Sequence, residues 1–196
     1  MKSIIIIPAR YGSSRFEGKP LFKILGTEMV IRVANICAKV VGKENLYVAT
    51  DNKKISKVVI SNGYKAIMTS TKCLTGTDRV AEAALKVKSD IYVNVQGDEP
   101  TINPKDIKKI IVAKIKYPNH IICGYDKVHK FENPESINLP KVVVNHQKEL
   151  IYISRALVPG KKKKEEKVNY LKQVCIYAFN KEQLKKFYSK KKKKRN

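Results

Sequence analysis

Short β-branched runs at residues 4–7, 46–49, 65–68 and 91–95 alternate with segments of helical periodicity. That alternation is what βαβ units around a parallel sheet require, so it restricts the chain to an α/β fold: a mostly parallel twisted sheet with helices on both faces. With 196 residues and 43% hydrophobic content, the chain can bury one substantial core, and nothing in the spacing of its apolar runs divides it in two. The expected organisation is one domain over 1–188 and a basic tail over 189–196.

Helix signals are chemically explicit. Residues 28–41 set Met29, Val33, Cys37, Val40 and Val41 on one face and end at Gly42, suited to a left-handed cap. A second helix is expected over 53–61, closed by Gly63, and a third over 77–87. Asn103 and Pro104 supply an N-cap and a first helical residue. After Pro118 come strand-rich pieces at 121–124, 141–145, 150–154 and 172–179, suited to extending the sheet and walling a substrate site. Asn180 and Gln183 then form the ends of a capping-box pattern for a last helix to Tyr188, and the lysine run beyond it reads as unfolded tail.

The net charge is +24, which first suggests nucleic acid, yet ten positives sit in the runs 161–164 and 190–195 and leave +14 elsewhere. No interleaved aromatics or helix-turn-helix spacing accompany those runs, so no specific nucleic-acid partner is expected. Small phosphate-rich ligands suit the remaining charge. Cys37, Cys73, Cys123 and Cys175 are far apart and His120, His129 and His146 equally dispersed, which excludes a Cys-x-x-Cys zinc site and argues for reduced thiols. No apolar stretch is long enough to span a membrane and the N-terminus lacks a leader pattern, so a soluble cytoplasmic protein without membrane insertion is expected.

The most informative stretch is Pro8-Ala9-Arg10-Tyr11-Gly12-Ser13-Ser14-Arg15-Phe16-Glu17-Gly18-Lys19-Pro20, directly after the first strand. Loops there lie at the carboxyl edge of a parallel sheet, where ligands bind. Small residues let backbone N–H groups approach phosphate, and Arg10, Arg15 and Lys19 can neutralise a triphosphate. The loop lacks Walker spacing, and its competing reading is an ordinary turn with solvated arginines. A second constellation, Gln96-Gly97-Asp98-Glu99-Pro100, ends a buried strand in a carboxylate suited to Mg²⁺; the alternative is an Asx-turn at Asp98. A third, Thr75-Gly76-Thr77-Asp78-Arg79, offers hydroxyls and a guanidinium just before a helix, suited to a pyrimidine or ribose and equally to plain capping.

The ordered set Ile-Pro-Ala-Arg10-Tyr-Gly-Ser-Ser-Arg15-Phe-Glu-Gly-Lys19-Pro-Leu, Val-Ala-Thr-Asp51, Thr-Gly-Thr-Asp-Arg79, Val-Asn-Val-Gln96-Gly-Asp98-Glu-Pro, Lys-Val-Val-Val144 and Tyr-Ile-Ser-Arg155-Ala-Leu-Val-Pro resembles the 3-deoxy-manno-octulosonate cytidylyltransferases over nearly the whole chain. The resemblance implies a Rossmann-like nucleotide-diphospho-sugar transferase fold. It also implies attack of a sugar acid's anomeric hydroxyl on the α-phosphate of CTP, giving a CMP-sugar and pyrophosphate for lipopolysaccharide precursors. On this mapping Ala9, Arg10, Ser13, Arg15, Lys19, Thr75, Gly76 and Arg79 bind the nucleotide, and Asp98 ligates Mg²⁺. Gln96, Arg155 and Gln173 face the sugar acid. Arg10, Arg15, Lys19 and Asp98 form the catalytic set, the cofactor is Mg²⁺, and the partners are CTP, an acidic sugar and a second copy in a homodimer.

Two departures stand out. The family's Leu-Arg-His-x-Gly-Ile-Tyr is Leu171-Lys172-Gln173-Val174-Cys175-Ile176-Tyr177 here, so Gln173 replaces a histidine. The family also continues into a Val-Asp-x-Pro-Glu-Asp segment that brings a second metal ligand, whereas this chain runs into lysines, the pattern expected of a truncated or frameshifted product. Rival readings are CMP activation of 8-amino-Kdo or a nonulosonate, a nucleotide-binding pseudoenzyme, and a basic nucleic-acid-binding module.

Overall fold

The computed structural model describes residues 1–12, 16–163 and 167–193, with side chains for all of these but 190–193. Its residues group into two compact units, Met1–Ile122 with Ile176–Asn196, and Cys123–Cys175.

The first unit opens with β1 (Ser3–Ala9), buried along almost its whole length. A short hairpin of β2 (Lys23–Ile24) and β3 (Thr27–Glu28) leads into α1 (Met29–Val41). Then β4 (Leu46–Thr50), α2 (Lys53–Ser61), β5 (Lys65–Met68), α3 (Gly76–Ala84), β6 (Ile91–Val95) and α4 (Pro104–Lys116) follow in βαβ order. The ladders β5–β4, β4–β1 and β1–β6 are all parallel, with Ile5 opposite Leu46 and Ile4 opposite Tyr92. Because alternate side chains of a strand face opposite ways, β1 needs cover on both sides. Ile4 and Ile6 enter a core with Val80, Ala84, Tyr92 and Leu184, while α1 packs against β1 and against α4.

Apart from its first residue, β7 (Ile122–Lys127) lies in the second unit, followed by β8 (Lys141–Val144) and β9 (Leu150–Ser154), the latter two pairing antiparallel. β10 (Leu171–Phe179) pairs Leu171 and Lys172 with β8, and, back in the first unit, Ile176–Phe179 with β6, both antiparallel. α5 (Lys181–Lys193) closes the chain.

Four local expectations change. Gly42 takes φ 79°, ψ 156°, so it turns the chain out in an extended conformation that glycine tolerates and is no left-handed cap. α3 starts at Gly76, because Thr75 is its cap, and stops at Ala84, where Leu85 and Lys86 bond back to Glu82 and Ala83 as a tightened last turn. α5 continues past Tyr188 into the lysine run, lysine being a good helix former once a capped helix has been nucleated. The β2–β3 hairpin carries no strong propensity and has no counterpart among the expected elements.

Lys114 is buried, yet its ammonium donates to Pro118 O at 2.8 Å, His120 O at 2.6 Å and Gln183 Oε1 at 2.9 Å. It ties the end of α4 to the start of α5, where Asn180 and Gln183 make reciprocal backbone–side-chain bonds of 2.8 and 2.9 Å. Those bonds are the capping box expected from the sequence.

Candidate active site

β1, β4 and β6 run parallel, so their carboxyl ends share one edge, and the residues following them converge. Arg10 follows β1, Asp51 follows β4, and Gln96, Gly97 and Asp98 follow β6. The N-terminus of α3 adds Thr75 and Gly76. All of these but Asp51 border a cleft of about 570 Å³. Ala9, Arg10 and Lys19 line one part of it; Thr75, Gly76 and Arg79, with Gln96 and Asp98, line the rest. Ser13 and Arg15 lie outside the described residues.

The basic loop is pinned at its base. Gly18 adopts a left-handed conformation (φ 68°, ψ 13°), and its N–H donates to Tyr11 O at 2.9 Å. The turn carries Lys19 toward β6, where Nζ donates to Asp98 Oδ2 at 2.7 Å. That pair sits at the mouth of the cleft, with side chains 37% and 49% exposed. Close backbone approach shapes the opposite wall. A Cβ on Gly97 would stand 2.9 Å from Pro8 O, and one on Gly76 would stand 3.0 Å from Gln96 Oε1.

Thr75 and Asp78 satisfy each other's backbone N–H, at 3.2 and 2.7 Å. In any α-helix the next N–H groups have no partner within the helix, so those of Gly76 and Thr77 are available as donors for an anion. Gln96 Nε2 donates to Asn94 Oδ1 at 3.3 Å, while the buried Asn94 Nδ2 has no partner among the described residues.

Arg79 borders the cleft but is only 2% exposed, and its guanidinium is held by Asp51 Oδ2 at 2.7 Å and Thr69 Oγ1 at 2.6 Å. Neither partner carries a role in the sequence reading, although Asp51 closes the quoted Val-Ala-Thr-Asp segment. Glu99, also without an assigned role, lies half-buried beside Asp98. Burial first, and the Asp98 charge second, push its carboxyl above the ordinary carboxylate range, with Lys19 opposing.

Arg155 and Gln173 belong to the second unit. Arg155 Nη1 donates to Ile137 O at 2.6 Å, and Lys141 Nζ donates to Arg155 O at 2.8 Å. Gln173 Nε2 donates to Cys123 Sγ at 3.9 Å, and its backbone N–H donates to Pro140 O at 2.9 Å. Burial raises the Cys123 thiol, with the Gln173 bond acting the other way. All four cysteines are reduced thiols.

Among the described residues no three His, Cys, Asp or Glu side chains cluster as a self-sufficient metal site. Asp98 offers hard oxygen donors open to the cleft, and a magnesium ion that keeps waters and takes phosphate oxygens needs only one or two such carboxylates. The residues fit that ion.

A family model described as cytidylyltransferase matches residues 4–195. The chain is 39% identical over 186 residues to a 3-deoxy-manno-octulosonate cytidylyltransferase of Escherichia coli, covering 93% of this chain and 74% of that protein. It is 36% identical over 186 residues to an 8-amino-3,8-dideoxy-manno-octulosonate cytidylyltransferase of Shewanella sp. (strain ANA-3), covering 91% and 75%. Among solved structures, CMP:2-keto-3-deoxy-manno-octonic acid synthetase complexed with CTP superposes with TM-score 0.89 at 38% identity, over 96% of this chain and 78% of that one. With the family match running from the first strand into the last helix, the chain belongs to the cytidylyltransferases.

Proposed function

We propose that this chain transfers CMP from CTP to the anomeric hydroxyl of 3-deoxy-manno-octulosonate (Kdo), with release of pyrophosphate. The observation that carries the reading is the meeting of loop and strand end in one cleft: Lys19 of the basic loop reaches Asp98 beyond β6 at 2.7 Å, beside the N-terminus of α3. The identity to a Kdo cytidylyltransferase gives the sugar.

Catalysis here is positioning and charge neutralisation. Arg10, Arg15 and Lys19 hold the triphosphate, and the Gly76 N–H adds a donor at the positive end of α3. Ala9, Ser13 and Thr75 complete the nucleotide contacts, with Arg79 behind them. Gln96, Arg155 and Gln173 address the sugar acid, Arg155 as the partner for its carboxylate. Asp98 would hold Mg²⁺, which when bound supplies neutralisation of phosphate charge. The anomeric oxygen attacks the α-phosphorus as its hydroxyl proton passes to solvent, the bond from α-phosphorus to the bridging oxygen breaks, and pyrophosphate departs with that oxygen.

The reaction belongs in the cytoplasm, where CTP is made. No helix among the described residues is long and apolar enough to cross a membrane. A homodimer is supported by β9, whose Leu150, Ile151 and Tyr152 are 51%, 64% and 58% exposed on a strand that pairs only with β8 among the described residues. The test is ³¹P NMR of CTP, Mg²⁺ and Kdo with the full chain. New phosphodiester and pyrophosphate signals are expected, and persistence of intact CTP with Kdo, 8-amino-Kdo and sialic acid alike would refute the reading.

A further inference from the structure

We infer that Asp51 is a positioning residue for nucleotide binding: its carboxylate joins the base of the basic loop to the first turns of α3. The inference rests on the function proposed above. One carboxylate oxygen, Oδ2, accepts from Arg79 Nη2 at 2.7 Å, and the other, Oδ1, accepts from the Tyr11 N–H at 3.4 Å. Asp51 thus touches both the segment that enters the basic loop and the helix whose N-terminus borders the cleft.

The surroundings fix this link from both ends. Arg79 cannot swing away, because its Nη1 donates to Thr69 Oγ1 at 2.6 Å, and that hydroxyl in turn donates to Thr50 O at 3.0 Å at the end of β4. Tyr11 is held by the Gly18 N–H on its carbonyl, at 2.9 Å, and by the Lys54 ammonium 5.6 Å from its ring centroid. The side chains of Arg79 and Asp51 are 2% and 14% exposed, so an unpaired charge left there would be costly. Pairing also removes Arg79 from the charge balance of the cleft. Its positive charge is met by Asp51, so it contributes geometry, whereas Arg10 contributes field.

An amide at position 51 cannot reproduce the link. Both neighbours are donors, so one of the two contacts of Asp51→Asn must set donor against donor whichever way the amide turns. Asp51→Glu keeps two acceptors on a longer stem. Hydrogen exchange of the peptide spanning 10–19 and steady-state kinetics of pyrophosphate release separate positioning from bulk stability.

In Asp51→Asn the loop peptide should exchange about tenfold faster while β1 amides keep their protection, and the KM for CTP should rise about tenfold with the KM for the sugar acid unchanged. Asp51→Glu should recover part of both effects. Wild-type exchange and wild-type KM in Asp51→Asn, even with a lowered Tm, would reduce Asp51 to a structural ion pair and overturn the inference. If Asp51→Asn fails to fold, Thr69→Val, which removes the acceptor for Nη1 along with the hydroxyl's bond to Thr50 O and leaves Asp51 in place, should shift both readouts about threefold; no shift would overturn the inference equally. A wild-type chain that turns over no sugar acid, while Asp51→Asn still loosens the loop, would refute the proposed function and leave the positioning role standing.

Discussion

Replacing Asp98 with asparagine separates a metal-binding carboxylate from a turn residue. The substitution keeps shape and removes one negative charge. Asp98 and its partner Lys19 are both more than a third exposed, so the pair contributes at most about 1 kcal/mol to stability. In a chain of this length that corresponds to a Tm shift below about 4 °C. Catalysis should respond far more strongly. Removing one preorganised group that acts on transition-state charge typically costs about 10²–10³-fold in kcat, or about 2.7–4 kcal/mol.

Binding should move differently again. With Asp98 neutral, the Lys19 ammonium loses its 2.7 Å partner and is free for phosphate. Metal-free CTP should therefore bind Asp98→Asn at least as tightly as wild type. Differential scanning calorimetry, titration calorimetry without Mg²⁺ and a pyrophosphate-release assay with Mg²⁺ read the three quantities. A kcat within about threefold of wild type would remove Asp98 from the chemistry, and a Tm fall above about 5 °C would make it a structural turn residue.

Lys19→Ala should weaken CTP binding by about 1.5–3 kcal/mol, because a charge-assisted contact to the triphosphate is lost; unchanged affinity by titration calorimetry would take Lys19 out of the site. Glu99 holds its proton more tightly in the folded protein than in the unfolded chain, since burial raises its carboxyl above the ordinary 4.5. Its contribution is therefore full below that value and lost as pH rises through the raised folded value. Glu99→Gln should accordingly stabilise the protein more at pH 7 than at pH 4.5 in urea unfolding, and an equal effect at both would refute the assignment. Lys114→Met removes the buried ammonium that joins Pro118 O, His120 O and Gln183 Oε1, and a loss of about 1.5–3 kcal/mol is expected in chemical denaturation; a loss under about 0.5 kcal/mol would show that water replaces the ammonium.

Much of this fold is written locally. The helix Lys53–Ser61 and the strands Lys65–Met68 and Ile91–Val95 fall where periodicity places them, because each has an apolar face that only one secondary structure can bury. Asn103 and Asn180 cap their helices through short side-chain bonds within three residues, which sequence spacing registers directly. Boundaries set by competition between caps were harder: the sequence pattern starts this helix at Thr77, and the reciprocal bonds between Thr75 and Asp78 start it at Gly76 with Thr75 as cap.

The cleft was legible as a set of loops following strands, since parallel topology alone brings Arg10, Gln96 and Asp98 to one edge. Long-range partners were not. Asp51 meets Arg79 across 28 residues and Tyr11 across 40, and no local pattern announces such a contact. The inward turn of Arg79 is equally invisible in sequence, because a solvated arginine and a buried one differ only in what packs around them.

A crystal structure of this chain with CTP and Mg²⁺ tests the central reading most directly. The triphosphate should lie in the cleft, within hydrogen-bond distance of Lys19 Nζ and the Gly76 N–H, with a metal ion bridging its oxygens to Asp98. A nucleotide bound elsewhere on the chain, or a cleft that stays closed to CTP at saturating concentration, would contradict it.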